Sequence, residues 1–179
     1  MSETSDSIER MLDENPLMVF SCYTHGQKEI LDELAAEILD LLDKGIHTRE
    51  NGQVEVDGRV FKRVYGKFWL WVLGAYEMVR TMDQAKPCFA ESLASELKRL
   101  KKKLSLLRMP FAKQELVGKK QPIGAEASVA GVDGAARNLK YRVGNQILTM
   151  RGMINEFGKV LAEVSRANVV ADHRTAYER

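Results

Sequence analysis

Several common features are scarce or missing in this chain of 179 residues. The two cysteines, Cys22 and Cys88, lack the spacing of a metal site, which predicts a reduced protein without disulfides. The three histidines lie far apart, and no Glu-x-x-His pair exists for a di-iron bundle. The phosphate-binding GxxxxGK motif is absent, as are GxGxxG, HExxH and GxSxG. These absences predict a protein without a metal or another cofactor.

Long apolar runs are also missing. The stretch Phe68–Met82 (FWLWVLGAYEMVRTM) holds both tryptophans, but its unbroken apolar part ends at Ala75. A membrane span needs roughly 18 to 20 apolar residues, and here the charged Glu77 and Arg80 follow. The polar and acidic start, SETSDSIER, does not resemble a secretory signal. A cytoplasmic protein without a membrane partner is therefore predicted.

Apolar residues at helical spacing are abundant. They predict four substantial helices, at residues 28–44, 60–84, 87–110 and 135–171. Turn residues at 51–52 and 57–58 flank Val54-Glu55-Val56, which predicts a small hairpin or an exposed loop. Residues 109–134 hold two prolines and four glycines and predict a long irregular loop. Residues 1–15 are expected to be frayed or weakly helical.

Together these patterns predict an all-α fold, a single-domain helical bundle spanning residues 1–179, with four main helices and a long loop before the last helix. The third and fourth predicted helices carry more apolar residues than a minimal bundle needs. This surplus predicts a homodimer, most simply across a two-fold axis. Trp69 and Trp71 cannot share one helical face. One is therefore expected in the core, and the other against a second helix layer or a dimer partner.

The charge is unevenly distributed along the chain. Residues 1–57 carry a net charge of −10, from 14 acidic and 4 basic side chains, and the remainder restores the total of +2. Residues 98–120 hold one acidic residue, Glu115, beside a basic set: Lys98, Arg99, Lys101, Lys102, Lys103, Arg108, Lys113, Lys119 and Lys120. Phosphates attract such a cluster. The alternatives are a solvated helix face or neutralisation of the acidic first predicted helix.

This basic set predicts a small interaction or regulatory protein without catalysis, whose surface meets an anionic partner, either RNA or an acidic protein. Within the same segment, RMPFAKQE (Arg108–Glu115) combines charges with Phe111 at a helix exit. It is interpreted either as a partner-binding loop or, preferably, as a segment in which Phe111 closes the end of the bundle.

A second hypothesis comes from Arg166 and His173, which are separated by six residues near the end of the last predicted helix. This arrangement resembles the HEPN family of helical, often dimeric proteins, many of which are ribonucleases. The resemblance implies a metal-independent ribonuclease with the two copies of the site facing each other across a dimer. Arg166 would stabilise the developing phosphorane charge and His173 would move the proton. The alternative is a helix end whose basic residues complement the helix dipole.

Overall fold

The computed structural model describes residues 2–115, 118 and 129–174, apart from the side chains of residues 2–5. This part of the chain is mostly helical. Its helices are α1 (Ser2–Glu14), α2 (Leu17–Phe20), α3 (Cys22–Gly45), α4 (Gly58–Gln84), α5 (Glu91–Lys113) and α6 (Met150–Ala162). One antiparallel sheet contains β1 (Ile46–Thr48) and β2 (Val54–Val56), and another contains β3 (Val129–Asp133), β4 (Asn138–Val143) and β5 (Gln146–Thr149). The fold is α+β rather than purely all-α.

The long helices α3, α4 and α5 form the main layer, with α4 packed between the other two. Helix α6 packs on α5 and on the three-stranded sheet. Apolar side chains three and four residues apart give each helix a buried face. The largest fully buried side chains are Phe20, Ile38, Phe68, Trp71, Tyr141 and Phe157. The helices predicted at 28–44 and 60–84 are confirmed, although α3 begins earlier, at Cys22.

Local signals at the helix ends also match the structure. Helix α3 ends at Gly45, one residue beyond the predicted end, and a Cβ atom there would lie 2.3 Å from Val60 Cγ1. The Asp57 carboxylate caps α4 by accepting hydrogen bonds from the backbone N–H groups of Arg59 (2.8 Å) and Val60 (3.2 Å). These bonds, chiefly the one from Val60, lower the pKa of Asp57. The predicted hairpin is confirmed as β1–β2, with Gly52 in its turn at φ +80°.

The three-stranded sheet corrects the predicted all-α fold and the predicted helix at 135–171, because α6 spans only Met150–Ala162. Leu139, Val143 and Ile147 are four residues apart and therefore also fit a helical pattern. In β4, however, burial alternates, with Tyr141 completely buried and its neighbour Arg142 exposed. A two-residue turn then joins β4 to β5, and its first residue, Gly144, has a φ of +58°.

The prediction that Pro110 ends the third helix is also wrong, because α5 continues to Lys113 and Gln114 ends it in the left-handed conformation at φ 55°. Pro110 gives up a single backbone hydrogen bond near the helix end, and it is itself buried. The predicted irregular segment 109–134 therefore starts inside α5 and ends just after β3. Its residues 116–117 and 119–128, which include Lys119 and Lys120, lie outside the described residues. The third helix was predicted to begin at Pro87. In the structure, Pro87 lies in a 3-10 turn before α5.

The leucine stripe of α5 is buried inside this one chain. Each of its members is at most 2% exposed: Leu93, Leu97, Leu100, Leu104 and Leu107. The stripe of the third predicted helix therefore offers no apolar surplus to a dimer partner. The start of the chain forms helix α1 over Ser2–Glu14. Within the described ranges, no helix is both long and apolar enough to cross a membrane.

An aromatic cluster joins the sheet to the helices. The ring of Tyr141 stacks on Phe68, with 5.5 Å between the ring centroids, and meets the edge of Phe111 at 5.6 Å. Tyr141 is completely buried, and its hydroxyl has no hydrogen-bond partner among the residues that the structure describes. Burial raises the pKa of Tyr141 far above its usual value, with a smaller contribution from Tyr65. A buried hydroxyl without a partner costs free energy.

We expect Tyr141→Phe to stabilise the protein by about 1–2 kcal/mol, since it removes the unpaired hydroxyl and keeps the ring. Urea unfolding followed by circular dichroism measures the change. Tyr65→Phe is the control, because Tyr65 is 39% exposed and water reaches its surroundings. That variant should change the free energy of unfolding by less than about 0.5 kcal/mol. A clear destabilisation by Tyr141→Phe would show that the hydroxyl has a partner in solution.

Candidate partner-binding surface

Four of the predicted basic residues on α5 form ion pairs with carboxylates of neighbouring helices. Lys101 pairs with Asp83 of α4. The Arg108 guanidinium lies 3.4 Å from the carboxylate of Glu77, which is also on α4. The Arg108 guanidinium also lies 5.1 Å from the ring centroid of Tyr76. These contacts join α5 to α4. The acidic partners come from α4 and α6, not from the acidic first predicted helix (residues 28–44).

Arg99 and Lys103 share the carboxylate of Glu156 on α6. The Glu156 side chain is only 15% exposed. Burial by itself raises the pKa of Glu156, but the hydrogen bonds from Lys103 and Arg99 outweigh it and hold the pKa below its usual value. Two of the predicted partner-binding cations therefore have a structural role, in which they join α5 to α6.

We expect Glu156→Gln to destabilise the protein by roughly 1–2 kcal/mol at neutral pH, because two cations lose a partly buried partner. The folded-state pKa of Glu156 is depressed, so its stabilisation is present above the unfolded pKa. It is lost as the pH falls through the lower folded value. Urea unfolding of both proteins at pH 7 and at about pH 3 should therefore show a larger difference at pH 7 than at the lower pH.

Glu96→Gln is the matched control, since Glu96 is 40% exposed and pairs only with Arg99 among the described residues. Its effect should stay within about 0.5 kcal/mol, as for other exposed pairs. An equal loss in both variants, or a loss by Glu156→Gln that is undiminished at low pH, would contradict the structural role of Glu156.

The remaining lysines of α5 face solvent. Lys98, Lys102 and Lys113 are exposed and form no ion pair within the described part of the chain. Spacings of 4 and 11 residues place them on one side of the helix, about one and three turns apart. They form a basic line along the outer face of α5.

Two exposed aromatic side chains lie next to this helix. Tyr65 and Trp69, one turn apart on α4, are each 39% exposed. The indole N–H of Trp69 donates a hydrogen bond of 3.0 Å to the backbone carbonyl of Phe111 on α5. The ring of Phe111 lies edge-on to Tyr65, with centroids 6.1 Å apart. Lys62 is exposed one turn before Tyr65. Trp69 is thus fixed against the end of α5 while much of its ring faces solvent.

We name the combined face of these two helices the α4–α5 surface. It consists of Lys62, Tyr65, Trp69 and Lys113, which lie where α4 meets the end of α5. Lys98 and Lys102 lie nearer the other end of α4, since Lys101 beside them pairs with Asp83. The sequence pattern missed its aromatic part, because Tyr65 and Trp69 fit the apolar stripe of the second predicted helix. The apolar stripe of α4 is wider than the face of α4 that α3, α5 and the three-stranded sheet cover. The preferred interpretation of RMPFAKQE is confirmed, since Phe111 closes the aromatic core against Phe68 and Tyr141.

The structure gives Arg166 and His173 separate surroundings. Arg166 follows the end of α6, is 42% exposed and lies 3.7 Å from the Glu9 carboxylate of α1. The ring of His173 packs on Phe20 with centroids 4.9 Å apart, and its backbone N–H donates to the Phe20 carbonyl at 2.8 Å. The pocket among the described residues that His173 lines does not include Arg166. Because the resemblance places the site across a dimer, their catalytic role stays a prediction.

No group of three histidine, cysteine or acidic side chains in the described ranges is arranged to hold a metal ion. Comparison with family models, with curated proteins and with solved structures gives no match to this chain.

Proposed function

We propose that this chain is a non-catalytic interaction protein with a regulatory role, and that its α4–α5 surface binds single-stranded RNA. The observation that supports the proposal is the position of two exposed aromatic rings, Tyr65 and Trp69, against the end of α5. Lys62 and Lys113 are exposed in the same region and form no ion pair among the described residues. Lysines attract phosphates through charge and counterion release. Exposed aromatic rings stack on unpaired bases, at about 1–3 kcal/mol per base.

The aromatic rings favour RNA over an acidic protein as the anionic partner. Tyr65 and Trp69 are about 6 Å apart along the helix axis, a distance that two neighbouring nucleotides of an extended strand can span. The hydrogen bond from Trp69 to Phe111 holds the indole in place before binding, so little freedom is lost when a base stacks on it. An acidic peptide would use the lysines alone.

Fluorescence titration with a short oligouridine strand tests the proposal. Trp71 is completely buried, so quenching on binding reports mainly on Trp69. We expect quenching, with an affinity that falls as the salt concentration rises. An RNA duplex of the same length should bind more weakly, because its bases are not free to stack.

The same samples are then examined on a denaturing gel in the presence of EDTA. Intact RNA is expected. Binding of a polyglutamate peptide but not of oligouridine would contradict the proposal and indicate an acidic protein partner. Cleavage that is lost in both Arg166→Ala and His173→Ala would overturn the non-catalytic reading in favour of the HEPN-like ribonuclease.

A further inference from the structure

Two large apolar side chains are exposed on the outer side of α3 and α4, away from the core. Ile30 of α3 is 65% exposed, and Leu70 of α4 is 54% exposed. The half-buried Leu34 lies one turn from Ile30, and the exposed Gly74 lies one turn from Leu70, so each helix extends the apolar face. Single exposed apolar residues are common, whereas a contiguous group of them favours an interaction surface.

Two contacts between the helices show that this group is contiguous. Glu37 of α3 pairs with Lys67 of α4 at 2.5 Å. A Cβ atom on Gly74 of α4 would lie 3.1 Å from a side-chain carbon of Leu31 on α3. The two helices are therefore antiparallel, and the exposed apolar residues of both lie at the level of these contacts or between them. We name this patch, together with the charged residues that border it, the α3–α4 face; its apolar centre consists of Ile30, Leu34, Leu70 and Gly74.

The charges of the two helices have opposite signs. On α3, residues 30–43 contain five acidic side chains and no basic one. On α4, residues 58–70 contain four basic side chains and no acidic one. Beside the apolar centre, the Glu37 side chain is 58% exposed, and Arg63 is exposed without an ion pair among the described residues. The α3–α4 face therefore has an acidic edge on α3, an apolar centre and a basic edge on α4.

We propose that the α3–α4 face joins two copies of this chain, with α3 of each copy lying on α4 of the other. A two-fold axis parallel to the helices, between α3 and α4, gives this arrangement. It places acidic edges on basic edges and joins the two apolar centres. Glu37 of one copy then lies about one turn from the level of Arg63 of the other, because Glu37 is level with Lys67. An axis across the helices would instead stack α3 on α3, with like charges together. The dimer does not depend on RNA binding, since Tyr65 and Trp69 lie on the side of α4 toward α5.

Sedimentation velocity of the full chain over a range of concentrations tests the dimer. The wild-type protein is expected to be dimeric at micromolar concentrations. Leu70→Glu places a charge in the apolar centre and is expected to weaken dimerisation by roughly tenfold or more. Ile147→Glu is the matched control, since Ile147 is 58% exposed on β5 of the three-stranded sheet, and it should leave the dimer unchanged. A monomeric wild-type protein, or a dimer that Leu70→Glu leaves intact, would overturn the proposal.

A charge exchange then tests which helices meet. Arg63→Glu and Glu37→Arg each create two like-charge contacts in a homodimer, so each variant alone is expected to dimerise roughly tenfold more weakly or worse. Mixed in equal amounts, the two variants are expected to form heterodimers, because one contact keeps the natural pair and the other carries both changes. Native mass spectrometry of differently tagged copies detects the heterodimer. Lys102→Glu is the matched control, since Lys102 is exposed on α5, and it should dimerise like the wild type. A mixture without heterodimers, or charge variants that dimerise like the wild type, would overturn the placement of α3 on α4.

Discussion

Replacing Trp71 by alanine is expected to lower the free energy of unfolding by roughly 3–5 kcal/mol, as for other buried large aromatic residues. Trp71 is completely buried. Its ring is stacked with Phe68 at 5.8 Å between centroids and meets Phe157 of α6 edge-on at 5.3 Å. The indole N–H donates to the Leu31 carbonyl of α3 at 3.1 Å. The substitution would therefore open a cavity where α3, α4 and α6 meet.

Urea unfolding followed by far-ultraviolet circular dichroism measures the loss. Trp71→Phe retains most of the ring volume and should recover a large part of the stability. Trp69→Ala is the matched comparison two residues away. Because Trp69 is 39% exposed, its replacement should cost clearly less than that of Trp71, about 1–2 kcal/mol. Equal losses in Trp69→Ala and Trp71→Ala would contradict the assignment of one tryptophan to the core and one to the surface.

The sequence predicted the long helices well because several independent signals agree in them. In α3 the apolar residues repeat at helical spacing, and Gly45 marks the end of the helix. In α4 the aspartate of Asp57-Gly58 supplies the cap at the start. The sheet was missed because the spacing of Leu139, Val143 and Ile147 fits both a helix and a strand. Which of the two forms depends on contacts with residues far away in the sequence. The Tyr141 ring packs on Phe68, which is 73 residues earlier in the sequence (141 − 68).

The candidate surface could be predicted only in part, for a related reason. Composition shows that residues 98–120 are basic, but it does not show which cations have internal partners. Lys103 pairs with Glu156, 53 residues away, and Lys101 pairs with Asp83, 18 residues away. The pairing depends on how the helices pack. Likewise, the spacing of the tryptophans predicted that one is in the core, while the packing of α3 and α6 determines that it is Trp71.

A second large effect is expected at the exposed tryptophan, Trp69. If bases stack on Trp69, Trp69→Ala should weaken the binding of oligouridine by about 5- to 150-fold, which corresponds to roughly 1–3 kcal/mol. The loss should persist at high salt, because stacking does not depend on counterion release. Trp69→Phe, which keeps an aromatic face, should retain much of the affinity. Binding is followed by fluorescence anisotropy of labelled RNA, so the assay does not require the tryptophan.

The lysines of the α4–α5 surface should behave differently from Trp69. Lys62→Ala and Lys113→Ala should each weaken binding mainly at low salt and each reduce the slope of log affinity against log salt by about 0.7. Lys86→Ala is the control, since Lys86 is exposed but follows the opposite end of α4 from Tyr65 and Trp69. If the lysine variants lose affinity while Trp69→Ala binds like the wild type, the surface recognises charge alone. An acidic protein then becomes the better partner, because the stacking that distinguishes single-stranded RNA plays no part.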